Sequence, residues 1–260
     1  MKVVLLAGGL GSRISEESDL KPKPMIEIGG KPLLWHIMKT YSKHNFKEFI
    51  VCLGYKGHVI IDYFKNYFYH ASDIEVDLSN GELNIIKNNQ LDWKISLIDT
   101  GLKTNTAGRL KKISGLLDST FLMTYGDGLS NVDISSSVKF HKNHKKLVTV
   151  TGVRPPGRFG VLKVDEMNQV TSFSEKSQAE EGFINGGFFV VEPEALEYIN
   201  ENDDSWESDC LPAISKVGQL KAFKHYDYWK PCDTLRDKRI LEKDWLSGKP
   251  PWFSAVTKFK

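Results

Sequence analysis

The residues best suited to chemistry come first in the chain. A hydrophobic run from Lys2 to Ala7 opens into Gly8-Gly9-Leu10-Gly11-Ser12-Arg13, and the basic segment Lys21-Pro22-Lys23-Pro24-Met25 follows. Successive glycines let backbone N–H groups converge on an anion, and a helix starting there would add its positive end. Arg13 offers a planar fork to phosphate oxygens, and Lys21 and Lys23 offer point charges. The chemistry indicated is polyphosphate binding, although a tight strand-to-helix turn with surface cations uses the same residues. A dinucleotide fingerprint is excluded because Ile14 stands where its third glycine belongs, and the spacing is not that of a Walker A loop.

Two carboxylates are candidates to work with those cations. Asp127 follows the strand-like run Phe121 to Tyr125 within Tyr125-Gly126-Asp127-Gly128, and Asp233 sits in Pro231-Cys232-Asp233-Thr234. Either can ligate a metal. Each also has a plainer role, Asp127 as a turn cap and Asp233 as the N-cap of the next helix, close to the loop bearing Trp229 and Pro231. The seven histidines make no convincing metal set. Cys52, Cys210 and Cys232 are odd in number and far apart, which argues against a disulfide framework or structural zinc and fits a reducing, cytoplasmic setting.

The elements that must position these residues read as α/β. Leu33, Leu34, Ile37, Met38 and Tyr41 recur with helical spacing, Phe49 to Leu53 is a buried strand, and Val59 to Phe68 carries another apolar helical face. Strand–helix alternation predicts a mostly parallel sheet, with ligands beyond the strand C-terminal ends, so Asp127 and the glycine turn share one edge. Residues 74–98 break the alternation: Ile74 to Leu78 and Leu83 to Ile86 flank Asn80-Gly81, an inserted hairpin, before a strand at Ile95 to Ile98. A helix is expected after Gly108-Arg109, with strands at Leu147 to Val153, Val161 to Val164, Val170 to Phe173, Phe188 to Val191 and 219–226. Asp133 is placed as a helix cap, and His141 to Lys146 as a solvated helix end. One catalytic domain over 1–247 with a tail at 248–260 is preferred. In that tail Trp252 and Phe253 pack either on their own core or across a neighbouring subunit.

Composition bounds the function. A chain of 260 residues with 40% hydrophobic and 26% charged residues builds a sizeable core, and a net charge of +2 makes no electrostatic case for nucleic acid. No apolar stretch reaches membrane-spanning length.

The glycine turn, Lys21 to Met25, Tyr125 to Gly128 and Glu175-Lys176 together resemble the sugar-1-phosphate nucleotidyltransferases over most of the chain. Trp35 to Met38, Gly54 to Gly57, Pro155 to Gly160, Ile184 to Phe189 and Asp233 to Asp237 narrow the resemblance to the glucose-1-phosphate cytidylyltransferase family. The resemblance implies a mixed, mostly parallel sheet flanked by helices in a Rossmann-like GT-A fold. It implies Mg²⁺-dependent reaction of CTP with α-D-glucose 1-phosphate to give CDP-glucose and pyrophosphate, homo-oligomerisation as a hexamer, and a place in dideoxysugar supply for bacterial surface polysaccharide.

Carried over position by position, it places Leu6, Ala7, Gly8, Gly9, Leu10, Gly11, Ser12 and Arg13 around the nucleotide, with Lys23 on phosphate and Lys21 as a lesser contributor. Thr104, Arg109 and Gly128 join the nucleotide side, and Asp127 and Asp233 hold the metal. Glu175, Lys176, Asn185 and Gly186 take the sugar phosphate. Ser177 stands where the family's Glu-Lys-Pro motif has proline, which puts the geometry of that loop in question. Cytosine recognition needs an acceptor facing N4–H₂, and backbone carbonyls near Leu6 or Gly81 are candidates. Three alternatives stay open: a relative using UTP, dTTP or GTP, a noncatalytic nucleotide-binding or assembly protein, and a glycosyltransferase. Leu129, where an Asp-x-Asp metal motif needs its second aspartate, weighs against the last.

Overall fold

The computed structural model of the chain describes residues 1–9, 21–88, 91–154, 161–167, 169–174 and 182–255. A seven-stranded sheet organises them. Its strands are β1 (Val3–Leu6), β2 (Glu48–Leu53), β3 (Lys94–Asp99), β4 (Phe121–Tyr125), β5 (Val148–Val153), β6 (Ile184–Val191) and β7 (Leu220–His225), in the spatial order β7-β5-β6-β4-β1-β2-β3. Only β6 runs against its neighbours β5 and β4; the remaining pairings are parallel. This is the mixed, mostly parallel α/β arrangement expected.

Helices α1 (Leu33–Lys43), α2 (Gly57–Lys65), α3 (Tyr67–Ala71), α4 (Thr106–Lys112), α5 (Ile134–His144), α6 (Leu211–Lys216) and α7 (Leu235–Leu246) accompany the sheet. Successive β1 side chains point to opposite faces, so Val3 and Leu5 enter a core with α1 residues such as Leu33 and Ile37, whereas Val4 and Leu6 meet Ala107, Leu110 and Trp206. Burial on both faces explains why β1 is continuously apolar rather than alternating.

Smaller ladders sit outside the sheet. The hairpin Ser72–Asp77/Glu82–Asn88 forms as expected, with Gly81 at φ +77°, and Val161–Val164 pairs with Val170–Ser174. Gly128–Ser130 pairs with Trp229–Pro231. Trp252 is buried, so the tail residues Trp252 and Phe253 pack on the chain's own core.

Three local expectations need correction. The capping oxygen of α7 belongs to Thr234, not Asp233: Thr234 and Asp237 exchange bonds in a capping box, which satisfies the helix start without the Asp233 carboxylate. Helix α4 begins at Thr106, capped by Asn105, and so includes Gly108; a Cβ there would lie 2.0 Å from the Asn202 carbonyl oxygen, so glycine is tolerated mid-helix for close packing. His141 is buried rather than solvated, held between Thr149 and Glu192. Asp133 caps α5 as expected, through the Ser136 amide.

Candidate active site

Parallel strands bring four chain ends to one edge. The segments after β1, β2, β3 and β4 leave the sheet there, and antiparallel β6 enters it through Asn185 and Gly186. A cavity of about 340 Å³ opens at this edge, with Leu6 to Gly9 on one wall, Thr104 and Arg109 on a second, and Lys23, Tyr125 and Asp127 on a third. A smaller one of about 50 Å³, between Asn185, Gly186 and Trp229, shares Tyr125 and Asp127 with it.

Arg109 pins the strand ends together. Its guanidinium donates to the carbonyls of Leu53 (2.8 Å), Gly101 (2.9 Å) and Gly8 (3.0 Å) and to the Thr100 hydroxyl (2.7 Å). A Cβ on Gly8 would fall 2.2 Å from the guanidinium carbon, and one on Gly54 would fall 2.6 Å from the Gly8 oxygen, so both positions exclude side chains. Burial draws the Arg109 pKa below its ordinary value, against smaller opposing effects of Cys52 and Asp99. Lys112 reaches Thr104 and the Thr100 carbonyl from the same helix.

The charged centre is Lys23. Pro24 packs on Gly126, where a Cβ would lie 2.7 Å from the proline ring, and this contact seats the Lys23–Met25 turn against the end of β4. The ladder between Gly128–Ser130 and Trp229–Pro231, with the Cys232 amide donating to the Asp127 carbonyl, carries Asp233 to the same place. Lys23 Nζ then donates to Asp127 Oδ2 at 2.7 Å and Asp233 Oδ1 at 2.5 Å. Burial works against the ammonium, but the two carboxylates outweigh it, and the Lys23 pKa lies above its ordinary value. Lys21 is directed elsewhere, to Glu27 at 2.7 Å.

Asp127 Oδ2 and Asp233 Oδ1 form a hard-oxygen donor pair beside the cavity, with the Lys23 ammonium at the point where they converge. Mg²⁺ is commonly held by one or two carboxylates with the remaining sites left to water and phosphate, so Asp127 and Asp233 fit it. No third His, Cys, Asp or Glu joins them among the described residues.

Of the positions singled out in the sequence, Leu6, Ala7, Gly8, Gly9, Lys23, Thr104, Arg109 and Asp127 meet around the larger cavity. Gly128, Asn185 and Gly186 line the smaller one, and Asp233 meets Lys23 on the wall of the larger one. Gly81 lies at the hairpin turn and is absent from the cavity wall, which leaves Leu6 as the nearer of the two carbonyl candidates. Leu10, Gly11, Ser12, Arg13, Glu175, Lys176, Ser177 and the Pro155 to Gly160 motif lie outside the described residues. Sequence reasoning missed Tyr125 and Trp229 as cavity-lining residues. Trp229 donates to the Gly186 carbonyl at 2.8 Å. Tyr125 was legible only as the end of a strand beside Asp127.

A family model described as nucleotidyl transferase matches residues 2–234. The chain is 48% identical to a glucose-1-phosphate cytidylyltransferase of Salmonella typhi, over 97% of this chain and 98% of that one. A protein of the same description from Salmonella typhimurium matches with the same identity and coverage. Among solved structures, HddC from Yersinia pseudotuberculosis superposes with a TM-score of 0.69 at 26% identity, covering 94% of this chain and 99% of that chain.

Proposed function

The chain belongs to the nucleotidyl transferase family, and from that premise we propose that it transfers CMP from CTP to α-D-glucose 1-phosphate, releasing pyrophosphate and CDP-glucose. The reading is carried by the near full-length 48% identity to the Salmonella typhi cytidylyltransferase. The Lys23, Asp127 and Asp233 cluster at the strand ends supports it.

A phosphate oxygen of the sugar phosphate forms the new bond to the α-phosphorus of CTP. The bond from that phosphorus to the bridging oxygen breaks, and pyrophosphate leaves with the electron pair. The attacking oxygen is already anionic near neutral pH, so no general base is required. The difficulty is to bring two anions together. Lys23 lines the larger cavity beside Asp127, where its ammonium is placed to offset that repulsion once Asp127 and Asp233 hold Mg²⁺. Arg13 and the glycine turn are assigned to the triphosphate, Thr104 and Arg109 to the nucleoside side, and Glu175, Lys176, Asn185 and Gly186 to the sugar phosphate. Asp127 and Asp233 would hold Mg²⁺, which supplies charge neutralisation to the phosphates when bound. Alignment of the two substrates contributes roughly 7 kcal/mol or more in favourable model reactions, which makes direct displacement without a covalent enzyme intermediate sufficient.

Purified protein should form CDP-glucose from glucose 1-phosphate, Mg²⁺ and CTP with higher kcat/KM than with UTP, dTTP, ATP or GTP. A stronger preference for another base overturns the CTP assignment. Exchange of labelled pyrophosphate into CTP without sugar phosphate would overturn direct displacement.

We assign the protein to a homo-oligomer, a hexamer by its resemblance. One face of the Ser72–Asp77/Glu82–Asn88 hairpin presents the cross-strand pairs Ile74/Ile85 and Val76/Leu83, all at least 38% exposed, which suits a subunit contact. A monomer in analytical ultracentrifugation would refute the assembly. A cytoplasmic location is proposed on the three buried free thiols, each raised to about 12 chiefly by burial.

A further inference from the structure

A single carboxylate joins the two cavities from behind. Glu207 lies in the Trp206–Cys210 turn, whose bonds span five residues and which leads into α6. Such π-type turns recur at functional sites. Glu207 Oε2 accepts from the Thr106 hydroxyl at 2.8 Å and the Ser205 hydroxyl at 2.9 Å, and Oε1 accepts from the Tyr125 hydroxyl. The Tyr125 oxygen in turn accepts from Asn185 Nδ2 at 3.4 Å, while Asn185 Oδ1 accepts from the Gly187 amide at 2.8 Å. A hydrogen-bonded chain therefore runs from the first turn of α4, which carries Arg109, to the start of β6, which carries Asn185.

The middle link of that chain is the partition between the cavities. The Tyr125 ring lines both, with Asp127 beside it. Its other contacts allow little freedom: Phe189 meets the ring edge-on at 5.9 Å, and Gly187, at φ +80°, approaches so closely that a Cβ would be 2.7 Å from the ring. The phenol is the donor in its bond to Glu207, because an ionised carboxylate can only accept. Packing sets the ring plane, and Glu207 sets where the hydroxyl points.

We infer that Glu207 is a positioning residue for the acceptor: by anchoring the Tyr125 hydroxyl, and Asn185 through it, it holds the wall against which the sugar phosphate lines up with the bound nucleotide. The inference rests on the proposed transfer reaction. Glu207 touches neither cavity itself, so its effect passes through Tyr125. Loss of the anchor should loosen the sugar side and leave the nucleotide side, built on Gly8, Lys23 and Arg109, in place.

The test compares Glu207→Gln, Tyr125→Phe and the double variant with wild type. Gln keeps the size and one carbonyl acceptor but cannot accept from Tyr125, Thr106 and Ser205 together. Each single variant should raise KM for glucose 1-phosphate about 5- to 10-fold and lower kcat about 10-fold. KM for CTP should stay within about 2-fold and the melting temperature should not move. The double variant should be no worse than the poorer single variant, because both cut the same link, and Glu207→Ala should be more damaged than Glu207→Gln. Parameters within 2-fold of wild type in both single variants overturn the inference, as does a parallel loss for CTP and sugar phosphate with a lowered melting temperature. A wild type that forms no nucleotide sugar with any of the five nucleotides overturns the reaction and this inference together. An active wild type with unaffected variants overturns this inference alone.

Discussion

Two buried nitrogen bases tie distant segments together and meet opposite fates. Lys23 joins the N-terminal turn to the ends of β4 and of the Trp229–Pro231 strand, and two carboxylates keep it charged, with a pKa above its ordinary value despite burial. His36 joins α1 to the tail among Trp35, Trp245, Trp252 and Phe253, and burial drives its pKa down to about 4. The neutral ring donates from Nε2 to the Ile28 carbonyl at 2.9 Å and accepts on Nδ1 from Trp252 at 3.4 Å. Burial thus leaves one base ionised and the other neutral, according to the partners that surround it. A cation kept charged by two carboxylates leaves a cluster of ionised groups beside a cavity, whereas a base stripped of charge by burial among aromatic rings is part of the packing.

The largest effect should come from the charged cluster. Lys23→Ala or Asp127→Ala should each lower turnover on the order of 10²–10³-fold, as removal of a transition-state charge partner does, while circular dichroism stays native. Near-normal turnover in both variants would erase the distinction drawn between the two bases. In the aromatic cluster the loss should fall on stability instead. Trp252→Ala should cost about 3–5 kcal/mol in urea unfolding, with kcat held in conditions where the fold persists, and a stable but inactive variant would show that the tail reaches the chemistry.

The pH dependences run in opposite directions. His36 has a folded pKa below its unfolded value of about 6.5, so its stability is fully present above that pH and is lost as pH falls towards 4, by about 3 kcal/mol. Lys23 has a raised folded pKa, so its stability is present below 10.5 and is lost as pH rises through the folded value. Denaturation curves from pH 7 to 4 should flatten in a His36→Leu variant; an unchanged slope would place the acid sensitivity elsewhere. The smallest effect is local. Thr234→Ala should cost about 1 kcal/mol through loss of the capping box, read as a lowered denaturation midpoint.

Much of this was legible one segment at a time. The apolar run of β1, the helical spacing of α1 and the Asn80-Gly81 turn act over a few residues, and their pattern decided strand, helix and hairpin correctly. Errors arose where a distant contact prevailed over a local preference. Gly108 sits inside α4 because the Asn202 backbone presses on it, and His141 is buried because Glu192 and Thr149 receive it. Asp233 looked like a cap, but Thr234 and Asp237 close the box one residue later.

Local pattern is enough to place a glycine turn, a Lys-Pro-Lys-Pro segment and two aspartates at the ends of strands or in loops, because backbone freedom, proline geometry and apolar periodicity are local properties. It takes the folded chain to bring Lys23 to carboxylates 104 and 210 residues away, and to set Glu207 behind Tyr125. Those meetings follow from strand order and direction in the sheet, and from side ladders such as Gly128–Ser130 with Trp229–Pro231, which local pattern does not encode.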